Sequence, residues 1–193
     1  MPVRLLGSTS GYSELSAPAE AGDQLFSLPG TGGTLDRLNR AGNILQVVQA
    51  STSTAVTVTT TTYTDTDLTA SIIPTSATSK VLVIIDQCCN FYASTTSAYG
   101  GIRLLRDSTV IVTPVADSNG PYEHGVAAAG ATAVEAPRRA TIVYLDSPGT
   151  TSLITYKTQG RPYRTTNSST AYFQQGGPTN NPTSFITLIE VAQ

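Results

Sequence analysis

At 193 residues, with 11 basic against 13 acidic side chains and a formal charge of -2, the chain has room for one domain of ordinary size plus an appendage. Charged residues make up only 12% of it, about half of the roughly 25% usual in soluble domains, which excludes a nucleic-acid coat or a polybasic membrane binder. Hydroxyls replace the missing charge, with 31 Thr and 19 Ser against one Met and no Trp.

Threonine is β-branched and suits a pleated, half-wet surface. Leu, Lys, Glu and Ala at helical spacing are nearly absent, while 16 Gly and 11 Pro punctuate short apolar runs, so the chain reads as all-β. Residues 1 to 43 hold two short strand candidates, Val3 to Leu6 and Gln24 to Leu28, and one helical turn, LDRLNR, flanked by glycines that break it. So few large apolar side chains cannot offset the entropy of ordering some forty residues alone. An extended N-terminal arm is the expectation for 1–43.

From Ile44 the character changes. ILQVVQA and STSTAVTVTTTTYTDTD alternate with period two, Val56 and Val58 sharing a face. In KVLVIIDQCCNFY the run Val81 to Ile85 is apolar at every position, which predicts a central strand buried on both faces. AYGGIRLLRDSTVIVT predicts a hairpin that pairs Ile102 to Leu105 with Val110 to Val112 and turns at Asp107 and Ser108. ATIVYLD, TSLITYKT and SFITLIEVA supply three more strands, with SPGT a tight turn between the first two. Roughly eight strands in about 150 residues predict an antiparallel β-sandwich of jelly-roll type over 44–193. Residues 114–140 and 159–184 are longer than connections need to be, and long loops in compact domains tend to serve function.

Catalytic patterns are absent. His124 is the only histidine, and no GxSxG, HExxH, phosphate-binding glycine loop or CxxC occurs. Asp65 and Asp67 form a DTD pair and Asp117 sits in DSNG, yet no calcium loop pattern surrounds them and such aspartates commonly cap turns. Glu14, Glu20 and Glu123 lack a paired acid in sequence for glycoside hydrolysis. Neither a metal, a cofactor nor an enzyme activity is expected. Cys88 and Cys89 are neighbours, poorly placed to bridge each other, and read as reduced, strand-buried residues. No charged-then-apolar leader opens the chain, and its longest apolar run falls far short of the roughly 20 residues of a membrane-spanning helix. A soluble protein without membrane insertion is expected. Arg138 and Arg139, with Arg161 and Arg164, put positive charge on the two long segments, and Tyr163, Tyr172 and Phe173 interleave there with Asn, Gln and Thr. These seven are the candidate residues for receptor or subunit contact.

Several phrases occur together and in order: GSTSGYSEL, SAPAEAGDQLFSLP, ILQVVQA, LTASIIPTSATSKVLVII, GGIRLLRDSTVI, YLDSP, TSLITYK and TLIEVAQ. Over nearly the whole chain they resemble tail-fibre-like virion proteins of tailed bacteriophages, especially phages of cyanobacteria and other aquatic bacteria. The closing TSFITLIEV is also similar to the last strand of trimeric tumour-necrosis-factor-like jelly rolls. The resemblance implies a virion protein, assembled in the host cytoplasm. It would be a short homotrimeric fibre whose arm attaches to other virion proteins and whose module contacts a host-surface glycan. Capsid decoration is the alternative it leaves open, and nucleic acid is not an implied partner.

Overall fold

The computed structural model describes residues 3–6, 12–15, 41–95, 97–113, 123–127, 130, 132–163, 169–175 and 181–193. It divides into two units, residues 1–36 and 37–193. In the first, β1 (Val3–Leu6) pairs antiparallel with β2 (Tyr12–Leu15), setting Val3 opposite Leu15 and Leu6 opposite Tyr12. The segment expected to be extended thus holds a local ladder, and its partner strand comes from GYSEL, which the sequence reading leaves out. The expected strand Gln24 to Leu28 and the LDRLNR turn lie outside the described residues.

The second unit begins ahead of Ile44, because Gly42 N donates to Ala192 O and Ala192 N donates to Asn43 O. Its strands are β3 (Ile44–Thr52), β4 (Val56–Val58), β5 (Thr64–Ile72), β6 (Lys80–Ala93), β7 (Ser97–Arg106), β8 (Thr109–Val112), β9 (Glu123–Ala127), β10 (Val134–Asp146), β11 (Ile154–Pro162), β12 (Thr170–Phe173) and β13 (Ser184–Val191). No helix occurs among the described residues. One sheet runs β3-β13-β6-β12-β4, with β10 along the other edge of β6; the second runs β5-β11-β7-β8, with β9 also on β7. All pairs are antiparallel, and four of them nest: β3 with β13, β5 with β11, β6 with β10, β7 with β8. The innermost is the expected hairpin, and Asp107 turns it with φ 53°, its carboxylate Oδ1 accepting from Thr155 N at 2.9 Å.

The two sheets pack face to face as a β-sandwich. Strict alternation along β6 sends Val81, Val83, Ile85, Gln87, Cys89, Phe91 and Ala93 inward. The apolar interior falls into two clusters. Around Val83, Ile85, Leu68, Leu104, Tyr156 and Leu188 the packing is aliphatic, and around Phe91 and Phe173 it is aromatic, the two rings meeting edge to face at 6.3 Å. Glycines on the opposite sheet make room for the rings: a Cβ on Gly100 would sit 2.0 Å from Phe91, and one on Gly160 would sit 2.0 Å from Phe173.

Buried polar side chains also lie in the interior. Thr66 and Thr158 share a hydroxyl hydrogen bond of 2.5 Å. Ser184 Oγ accepts from Cys88 N at 2.8 Å, which leaves its own hydrogen for the Gln174 side-chain oxygen at 2.9 Å. That oxygen also accepts from Gln87 Nε2 at 3.1 Å, while the Gln174 amide nitrogen donates to Thr66 O and Thr54 O. At one end of the sandwich, Asp146 accepts from Tyr156 Oη at 2.7 Å and from Arg106 Nη1 at 2.8 Å, tying β10 to β11 and β7. Burial and the adjoining carboxylate hold the Tyr156 phenol protonated far above its usual range.

Glu190, fully buried on β13, anchors the turn after β5. Its carboxylate accepts from Gln46 Nε2 at 2.6 Å and from Thr75 N and Oγ1 at 2.8 Å each. Burial pushes its pKa up, but the hydrogen bonds from Gln46 and Thr75 outweigh burial and hold it below the ordinary carboxylate value. A depressed folded-state pKa contributes stability that is present above the unfolded value, about 4.3, and is lost as pH falls through the folded one. Thermal melts between pH 7 and pH 2 should therefore show a loss of stability below about pH 4 that shrinks in Glu190→Gln. Equal pH dependence in the two proteins would remove Glu190 from that role.

Three stretches differ from the expected strand pattern. The run Val81 to Ile85 is central, with neighbours on both edges, but the sandwich covers only one of its faces, and Leu82 and Ile84 point to the other. Residues 114–140 are in part strand, containing β9 and half of β10. Residues 159–184 likewise contain the end of β11 and all of β12. The expected strand ATIVYLD is the second half of β10, and Pro137 hid the first, since proline cannot donate to a ladder; among the described residues β10 pairs only with β6 and leaves its other edge open.

Candidate functional site

Two outward surfaces of the module carry side chains that could do work, one on each sheet. On the six-stranded sheet, the cross-strand registers align Leu145, Leu82, Ile189 and Val47 in one row over β10, β6, β13 and β3. Val143 and Ile84 begin the next row, Phe185 stands one row further, and Ile44 lies opposite Val191 at the near end. Five of the eight large apolar side chains exposed among the described residues belong to this face, among them Val143 at 63%, Val47 at 57% and Leu145 at 49%. Scattered apolar side chains are ordinary on a protein surface, whereas a contiguous set across four strands marks a surface that something covers. At its margin, the Arg139 guanidinium donates to Asp86 through Nε and Nη2, both at 2.7 Å, and to Thr183 O at 3.1 Å. The Asp86 hydrogen bond raises the Arg139 pKa further, and the pair leaves the margin without net charge.

The outer face of the five-stranded sheet is polar. Lys157 Nζ and Gln159 Nε2 both donate to Asp65, at 2.8 and 2.7 Å. Burial raises the Asp65 pKa, but these hydrogen bonds and the charges of Lys157 and Arg103 bring it below the usual carboxylate value. Gln159 Oε1 in turn accepts from Arg103 Nε at 2.9 Å and Nη2 at 2.5 Å. The Arg103 guanidinium lies 4.2 Å from the centre of the Tyr63 ring and that of Arg161 lies 4.6 Å from it, while Arg161 Nη1 donates to Thr61 O at 3.0 Å. One aromatic ring thus holds two cations. Along β5 a groove of about 370 Å³ adjoins the cluster, with Asp65, Asp67, Thr69 and Lys157 at its rim over Val56 and Leu68.

The seven sequence candidates fall in different places. Arg161 belongs to the Tyr63 cluster, and Tyr163, half-buried, continues its strand by donating from N to Tyr99 O at 2.9 Å. Arg138 and Arg139 are strand residues on the other sheet, in register with Cys89 and Cys88. Tyr172 is half-buried on β12 opposite Asn90 and Thr57. Phe173 cannot be a contact residue in the single chain, because it is wholly buried against Phe91 and Gly160. Arg164 lies outside the described residues. Nothing in the sequence alone marks Arg103 or Tyr63, since only the pairing of β7 with β11 sets Arg103 beside Gln159.

Little else suggests chemistry. Among the described residues no three of His, Cys, Asp and Glu gather as metal ligands. His124 holds the register position opposite Gly100 on β9, and Glu123 that opposite Gly101. Burial pushes the Cys89 thiol up to about 12 and raises that of Cys88 as well, which makes both poor nucleophiles. Among the described residues no helix is long and apolar enough to cross a membrane.

No family model and no curated protein matches the chain. Among solved structures, a protein in the structure of infectious bursal disease virus Gt strain matches with a TM-score of 0.27 and 17% identity, over 98% of this chain and 46% of that one. The chain therefore spans about half the length of that protein, and a likeness at this level fixes neither fold nor function.

Proposed function

We propose that the chain is a non-enzymatic structural protein of a tailed-phage virion, a short homotrimeric fibre with an attaching N-terminal segment and an outward β module. The observation that carries this reading is the open apolar face built by Leu82, Ile84, Val143, Leu145, Ile189 and Val47. β6 has the composition of a strand covered on both sides, and a single copy covers only one. Arg139 and Asp86 neutralise each other at its margin, so the apolar rows can meet their own copy without repulsion from that pair. The nested strand pairs, β3 with β13 through β7 with β8, support the jelly-roll reading of the sandwich. Three-fold symmetry and the virion setting rest on the sequence resemblance. With the six-stranded sheets turned toward one another, the five-stranded sheets face outward, and three weak sites on one stalk bind a repetitive surface by avidity.

Labelling intact particles through the C-terminal module tests the virion assignment under the electron microscope. Label at the tail is the expected result. Label over the whole head would make this a capsid decoration protein, and particles without label would contradict the assignment.

A further inference from the structure

The outer face of the five-stranded sheet collects Arg103, Arg161 and Lys157, three of the 11 basic residues in the chain, within a few residues of one another in the fold. Among the described residues the acids of that face are Asp65, engaged by Lys157 and Gln159, and Asp67, which accepts from Thr52 Oγ1 at 2.8 Å. Among the described residues neither arginine forms an ion pair. Each is held by neutral groups instead, Arg103 by Gln159 Oε1 and the Tyr63 ring, Arg161 by Thr61 O and the same ring. The anchors fix both guanidinium planes and engage only part of each five-donor fork. Two fixed cations at one ring repel each other, and an oxyanion that accepts from both relieves the repulsion.

We propose that Arg103 and Arg161, steadied on Tyr63, form a binding site for an anionic polysaccharide, with the carboxylate or sulfate of one sugar on the guanidinium pair. The neighbouring sugar lies in the adjoining groove, where Asp65, Asp67, Thr69 and Lys157 offer hydrogen-bonding groups over an apolar floor. Nucleic acid fits the site less well. Single strands bind by stacking bases on aromatic faces, and the Tyr63 ring is already occupied by guanidinium groups. The proposal deepens the host-contact part of the reading above, naming the ligand class and the residues.

The test measures binding of the full chain to immobilised polygalacturonate, dextran sulfate, unmodified dextran and duplex DNA by biolayer interferometry at two salt concentrations. Retention on one or both polyanions is expected, weaker at high salt, and the preferred polymer distinguishes carboxylate from sulfate. Arg103→Gln with Arg161→Gln should weaken it at least about tenfold while melting like the parent, because each bound oxyanion loses charge-assisted donors. Lys80→Gln, one charge lost from the other sheet, should leave it unchanged. Equal retention on unmodified dextran, tighter binding to DNA, no retention on either polyanion, or undiminished binding by the double variant would overturn the proposal. Val143→Gln with Leu145→Gln separates it from the assembly reading, since a dissociated chain keeps its single-site affinity if only self-association is at stake.

Discussion

Gly100→Ala is expected to destabilise the module by about 3 kcal/mol or more, at the upper end of what overpacking a core costs. The new methyl would lie 2.0 Å from Phe91 Cε1 and 2.7 Å from the backbone oxygen of Arg161, so relief requires both a ring and a strand to move. Phe91→Ala alone is expected to cost about 3 to 5 kcal/mol by opening a cavity beside Phe173. Combined, the two changes should cost less than their sum, because the ring that clashes is gone. Chemical denaturation of the three variants measures this. Additive costs would mean that the ring does not lie over Gly100.

The second large effect concerns assembly. Val143→Glu with Leu145→Glu should leave the module folded and break its association with other copies, because both side chains are already about half exposed or more in the single chain. Covering an exposed half of a large apolar side chain is worth on the order of 1 kcal/mol, so this face contributes several kcal/mol when it is covered. Two carboxylates facing their symmetry copies reverse the sign. Gel filtration with light scattering reads the result, and an unchanged oligomer would move the interface elsewhere.

How much was legible in the sequence depended on the residues. Period-two patterning marks β3, β6, β7, β8, the second half of β10, β11 and β13, since each alternates or is densely apolar and ends at a turn residue. β12 has four residues, TAYF, between polar stretches, too short for a period to show. Apolar side chains at every position from Val81 to Ile85 predict a doubly buried strand. That reading is true of its composition and untrue of the isolated chain, and the gap between the two exposes the face that single-chain packing leaves open. The contact residues were harder to find because strand pairing decides them. PRR and GRPYR looked like one kind of feature, yet pairing sends Arg139 to Asp86 on one sheet and Arg161 to Tyr63 on the other. Phe173 carried no sign of its burial, which depends on Gly160 lying opposite it in the sandwich.

Native mass spectrometry of the purified chain is the most direct measurement. If the open face of the six-stranded sheet is covered by copies of this protein, the dominant species will hold three chains of 20.1 kDa, and it will persist on dilution into the nanomolar range. A monomer at micromolar concentration, with its apolar face open to water, would contradict the account.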